Sequence, residues 1–250
     1  MVRSGIQCTV YQLGQLGYRD AYDLQTELLR QRLAGRIEDA ILLLEHPPTV
    51  TIGKSGKIDN VLLSQSELAT RGIPVLFVDR GGDVTYHGPG QLIGYPVIDL
   101  RRRGRDLHRY VGELEEVIIR TLDDFGIKSS RDSSHRGVWV EGKEIAAIGL
   151  RVKRWVSLHG FALNVTTDLT PFSWINPCGF KDRGATSMTA LLKQEIPLAE
   201  VSKSLLTHFA TVFKVQLTDG SITDIKRLLL GSSARISKET AGAGQITTLV

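Results

Sequence analysis

Apolar and polar positions change their period several times along this chain, and the changes mark out its elements. Residues 8–13 read as a first strand. From 19 to 34 the period becomes helical, gathering Ala21, Leu24, Leu28 and Leu29 on one side, with Gly35 as the stop. Residues 40–44 are a solid apolar run, the mark of a strand buried on both faces, and His46-Pro47-Pro48 breaks it. Further strands are predicted at 74–79, 84–87 and 92–100. A second helix is predicted over 106–125, where Leu107, Val111, Leu114, Ile118, Leu122 and Phe125 share a face, Asp106 is an N-cap and Gly126 ends it. Residues 137–152 and 158–165 read as two paired strands, 200–213 as a last helix and 214–217 as a short strand. Strands in close series with a few helices between them predict one α/β domain on a mixed β-sheet flanked by helices, over residues 1–230. The polar, aperiodic stretch from 231 to 250 reads as a flexible tail.

Composition narrows the class. In 250 residues, 42% hydrophobic and 23% charged content is that of a globular chain. No apolar run approaches the roughly 18–20 residues of a membrane span, and the first residues carry no long apolar signal. Two distant cysteines, Cys8 and Cys178, with no CxxC, suit a reducing compartment. A cytoplasmic protein with no membrane partner is therefore expected. A net charge of +4 is mild; its densest patch, Arg101, Arg102, Arg103 and Arg105, is a candidate dock for an acidic partner. No interleaved aromatic platform accompanies it, so nucleic acid is not expected.

The candidate chemistry lies in two loops. Arg80-Gly81-Gly82-Asp83-Val84-Thr85-Tyr86-His87-Gly88-Pro89-Gly90-Gln91 spends four glycines and a proline on twelve residues, more than a hairpin needs. Paired glycines let main-chain N–H groups approach a ligand; Arg80 could hold an anion or carbonyl, and His87 could exchange a proton near neutral pH. The stretch is neither a GxxxxGK[ST] phosphate loop nor a GxGxxG turn. Cys178 stands between Pro177 and Gly179, an environment unlike the strand interior that suits a structural cysteine such as Cys8. Whether it reacts depends on a group that stabilises its thiolate.

Three stretches, RGGDVTYHGPGQ at 80–91, LHGFALNV at 158–165 and NPCG at 176–179, resemble the octanoyltransferases of lipoate biosynthesis. The resemblance implies the α/β catalytic fold of biotin and lipoate ligases. It implies that Cys178 takes an octanoyl group from acyl carrier protein as a thioester and yields it to a lysine amine. The acceptors it implies are lipoyl domains of 2-oxoacid dehydrogenases and the glycine-cleavage H protein. The donor's phosphopantetheine carries the acyl group, so no cofactor, ATP or metal is implied. The substrate site it implies comprises Arg80, Gly81, Gly82, Asp83, Val84, Thr85, Tyr86 and His87, with Ala147, Ile148, Gly149, Gly160, Phe161 and Ala162. An ATP-dependent lipoate or biotin ligase, or a non-catalytic carrier-binding protein, are the rival readings.

One position departs from the family. Where its pattern has a catalytic lysine, this chain has Glu144, with Lys143 one residue earlier. A strand would turn Lys143 away from the site. A bulge after Gly142 would return it, Glu144 would act as a base beside a positively charged His87, or the activity would be altered.

Overall fold

A computed structural model describes residues 5–176, 184–221 and 223–225. The predicted tail at 231–250 and Cys178 itself lie outside the described residues. The strands are β1 (Ile6–Gln15), β2 (Asp39–Glu45), β3 (Thr49–Ile52), β4 (Val75–Phe77), β5 (Val84–His87), β6 (Gln91–Val97), β7 (Ser130–Arg131), β8 (Gly137–Val140), β9 (Lys143–Lys153), β10 (Val156–Asn164) and β11 (Val215–Asp219). The helices are α1 (Tyr18–Leu33), α2 (Gln65–Thr70), α3 (Leu107–Asp124), α4 (Met188–Leu192) and α5 (Leu198–Phe213). Among the described residues, no helix is long and apolar enough to cross a membrane.

The strands form two sheets, in the order β11-β1-β2-β6-β10-β9-β8-β7 and β4-β3-β5. Both are mixed, as expected: β2 runs parallel to β1 and antiparallel to β6, and β3 parallel to β4 and antiparallel to β5. The solid apolar run of β2 has a direct cause. Ala40, Leu42 and Leu44 meet α1, while Ile41 and Leu43 belong to the core shared with α3 and α5. A strand covered on both faces has no polar side to alternate with. The helix predictions hold within two residues at each end. Asp106 caps α3 by accepting from the Arg109 N–H at 2.9 Å, and Gly126 follows it in a left-handed conformation (φ +74°).

Residues 137–152 are not one strand. Glu141 and Gly142 both take positive φ (49° and 79°), which makes a two-residue hairpin turn between β8 and β9. A register shift follows, because Val138 faces Ala146 while Trp139 faces Glu144, leaving Ile145 as the extra residue of a bulge.

Next to the site, β6 and β10 lie too close for side chains at two positions. A Cβ on Gly160 would sit 2.0 Å from the Gly94 carbonyl oxygen, and one on Gly94 would enter the Phe161 ring. Gly160→Ala is therefore expected to force the strands apart and cost about 3 kcal/mol, read as a clear fall in Tm. An unchanged Tm would contradict this packing.

Candidate functional site

The 80–83 loop bridges the two sheets. Its Gly81 N–H donates to the Leu150 carbonyl of β9 at 2.8 Å. On the other side, the N–H groups of Gly53, Lys54 and Ser55 donate to the carbonyls of Asp83, Arg80 and Gly82 at 3.0–3.2 Å. Glycine is required where backbones meet: a Cβ on Gly53 would lie 2.3 Å from the Gly82 oxygen.

Beneath the loop is a cavity of about 950 Å³, enough for an extended acyl chain. From the loop and β5, Arg80, Gly81, Gly82, Asp83, Val84, Thr85 and His87 line it. Ala147, Ile148 and Gly149 of β9 and Gly160, Phe161 and Ala162 of β10 line it too. Three separate sequence motifs thus converge on one space. Tyr86 does not join them. It points into the small sheet's core, edge-on to Phe172 at 5.7 Å, as strand alternation between Thr85 and His87 requires.

Arg80 and His87 belong to one hydrogen-bond chain. The Arg80 guanidinium is buried and donates to the Thr51 carbonyl at 2.9 Å, to Thr51 Oγ1 at 2.8 Å and to the Gly81 carbonyl at 3.0 Å. Thr51 Oγ1 lies 3.3 Å from His87 Nε2, and His87 Nδ1 lies 2.8 Å from Gln91 Oε1. Gln91 Nε2 donates to Asn164 Oδ1 at 2.9 Å, and Asn164 Nδ2 to the Thr186 carbonyl at 3.0 Å. This pattern assigns the proton of His87 to Nδ1. Burial, then the neighbouring His46 and Arg80, hold its pKa well below the usual value. The expectation of a proton-exchanging, positively charged His87 is therefore corrected: the ring is neutral at pH 7. The buried cation at the cavity wall is Arg80.

Two further histidines are neutral for the same reason. Burial takes His46 down to about 4, and its ring bridges the Leu16 carbonyl and the Tyr95 hydroxyl, each at 2.7 Å. Burial, with Arg80 and Arg151, takes His159 down to about 3. His159 holds a left-handed backbone (φ +57°) inside a strand. Gln25 accepts from its N–H at 2.8 Å and Asp79 engages its Nε2 at 2.7 Å, contacts that over-determine the strained conformation. Asp79 is also paired with Arg151 and accepts from the Tyr22 hydroxyl at 2.7 Å. Tyr18 and Tyr95 add aromatic wall to the cavity. Sequence reasoning missed Thr51, Tyr18, Tyr95 and Asn164, which are ordinary residues of helix and strand until the sheets bring them together.

The Lys143–Glu144 question has a geometric answer. Lys143 is exposed, pairs across from Val140 and is absent from the cavity wall. The bulge falls at Ile145, beyond the lysine, and so does not return it to the site. Glu144 is partly buried and lines the cavity. Burial pushes its carboxyl up to about 7, against the opposing pull of Arg80. Its N–H donates to the Gly184 carbonyl at 3.1 Å and its carbonyl accepts from Thr186 at 2.9 Å. Asn176 and Gly184, the described residues on either side of 177–183, both line the cavity.

The arginine cluster is largely spent within the fold. Arg101 pairs with Asp99 at 2.7 Å and Arg102 with Glu38 at 3.1 Å. Arg103 donates to the Phe213 carbonyl, covers the Phe213 ring and faces Glu113. Its expected role as an open dock is not supported by this pairing.

Comparison with known proteins places the chain. The lipoyl protein ligase A/B catalytic domain matches residues 17–210. An octanoyltransferase of Caldicellulosiruptor saccharolyticus is 46% identical over 90% of this chain and 96% of its own length. One from Geobacter metallireducens is 48% identical over 79% of this chain and 89% of its own. The crystal structure of a lipoate-protein ligase A bound with ATP superposes with a TM-score of 0.72 at 16% identity, over 89% of this chain and 92% of that one. At that identity the likeness concerns the fold.

Proposed function

Since the chain belongs to the lipoyl protein ligase A/B catalytic-domain family, we propose that it moves an octanoyl group from a carrier-bound thioester, through Cys178, to a lysine of a lipoyl domain. The observation that carries this reading is the cavity itself. Its inner wall carries Tyr18, Tyr95 and Phe161 with the neutral His87 and His159, which suits an alkyl chain, and both described flanks of the Cys178 segment open onto it.

In the first half-reaction the Cys178 thiol gives up its proton, the thiolate attacks the thioester of octanoyl-acyl carrier protein, and the expelled phosphopantetheine thiolate takes up a proton in its place. One thioester replaces another, so the step is close to neutral in energy. In the second, the lysine amine attacks the acyl-enzyme, and the amide product makes the step downhill. Neither ATP nor a metal is needed. Glu144 takes the proton that the amine loses and returns it to the departing Cys178 sulfur. Arg80 supplies the positive charge that favours the thiolate. The absence of side chains at Gly81 and Gly82 lets the acyl carbonyl approach the backbone closely. The acceptors are lipoyl domains of 2-oxoacid dehydrogenases and the H protein, and the reaction is cytoplasmic.

The test is intact-mass measurement after mixing the protein with octanoyl-acyl carrier protein in the absence of ATP. An octanoyl adduct mapping to Cys178, which a lipoyl domain then discharges, is expected. Transfer that requires free octanoate and ATP would make the chain a ligase instead. Binding of the carrier with neither adduct nor transfer would make it a non-catalytic binding protein.

A further inference from the structure

The segment 53–62 crosses the outside of the glycine loop and reaches the cavity mouth. Its backbone is pinned there by the three N–H donations to residues 80, 82 and 83, and by Asn60 Nδ2 on Asp83 Oδ2 at 2.6 Å. Lys54 and Lys57 on this segment are exposed, and neither has an ion pair among the described residues. Ile58 and Leu62 are also exposed, Leu62 by 60%, although Leu62 lines the cavity. Arg136 is exposed and likewise lines the cavity. Two carboxylates lie nearby. Asp59 is exposed, while Asp83 is committed to Asn60 and to the Val84 N–H at 2.7 Å. The mouth thus has two lysines without an ion pair among the described residues, and an arginine held by His108 Nδ1 at 3.0 Å, around two exposed apolar side chains, the pattern of a surface that meets an acidic protein.

We propose that this rim, Lys54, Lys57, Ile58 and Leu62 together with Arg136, is the docking face for the acidic acyl carrier that delivers the thioester. The inference rests on the proposed acyl-transfer reaction. Two proteins must visit the cavity, and their chemistry separates them at this rim. The donor brings a phosphodiester at the root of its arm along with its acidic surface, and unpaired lysines favour both. The acceptor must insert a lysine that arrives as a cation, and the same charges oppose it. The arginine cluster at 101–105, by contrast, has most of its charge matched within the fold.

The test compares Lys54→Glu/Lys57→Glu with the unaltered protein on two donors, octanoyl-acyl carrier protein and octanoyl-N-acetylcysteamine, which has the thioester but no carrier or phosphate. The double reversal is expected to lower kcat/KM for the carrier at least tenfold, chiefly through KM, and to flatten its dependence on salt. Acylation by the small thioester should stay within twofold, which also shows that the variant is folded. Lys54→Gln/Lys57→Gln should fall between. An unchanged KM for the carrier, or a loss confined to the lipoyl-domain KM, would overturn the inference while leaving the reaction intact. Failure of the unaltered protein to be acylated by either donor would overturn the reaction and the docking inference with it.

Discussion

Replacing Cys178 with alanine is expected to abolish octanoyl transfer, by about 10⁴-fold or more, and to remove the acyl-enzyme adduct altogether. The size of the effect follows from the two-step chemistry. Without a nucleophile the lysine amine would have to attack the carrier thioester directly, in one step that needs donor and acceptor proteins at the cavity together. The experiment is clean because the chain has one other thiol, Cys8, and that thiol is unable to substitute. Cys8 is fully buried in β1, and burial, aided by Asp39, pushes its pKa far up, so thiolate is scarce at neutral pH. Cys178→Ser is expected to retain a trace of activity, since its alkoxide is far harder to form. Full transfer by the alanine variant, measured as octanoyl-lysine on the lipoyl domain, would place the nucleophile elsewhere and reopen the ligase reading.

The elements written in strong local patterns were legible in advance. The helical period of α1, the capped α3 and the two-faced run of β2 each have a cause that lies within a few neighbouring residues. So was the glycine loop: Gly81 meets the Leu150 backbone, and Gly82 and Gly90 take positive φ (84° and 78°), two uses that only glycine serves freely. What stayed hidden depends on residues distant in the chain. The positive charge expected of His87 disappears because burial, His46 and Arg80 act on it together, and no local window contains all three. Arg102 and Arg103 look open in sequence because their partners Glu38 and Glu113 lie far along the chain or on another element. Residues 137–152 read as one strand because Trp139, Val140, Ile145 and Ala146 keep the stretch apolar on either side of the turn. The cue was the Glu141-Gly142 pair, which a tight hairpin favours and a continuous strand does not. That turn and the bulge after it decide which of two adjacent side chains, Lys143 or Glu144, faces the cavity.

Glu144 carries the second large effect. Glu144→Gln keeps the shape of the side chain and removes its proton chemistry. It is expected to slow discharge of the acyl-enzyme to the lipoyl domain by about 10²-fold at pH 8, with little change in the first acylation. In the unaltered protein the carboxylate forms as pH rises through about 7, so the discharge rate should show an inflection there. The glutamine variant should lose it. Stability gives an independent reading of the same group. The folded pKa is raised above the ordinary carboxylate value by burial, so the fold holds this proton more tightly than the unfolded chain does. The unaltered protein should therefore lose stability as pH rises from about 4.5 to about 7 and stay level above that. Glu144→Gln should show no such loss from this site and be the more stable protein at pH 8, by on the order of 1 kcal/mol once cavity water is allowed for, with no advantage at pH 4. Lys143→Ala, on an exposed side chain turned from the cavity, should leave both rate and pH profile within twofold. A variant that is stabilised at pH 8 yet keeps its full discharge rate and its inflection would leave Glu144 a buried acid without a catalytic part. A large loss in Lys143→Ala would mean that the lysine reaches the acyl-enzyme during turnover, and that the proton leaves the attacking amine by way of that lysine.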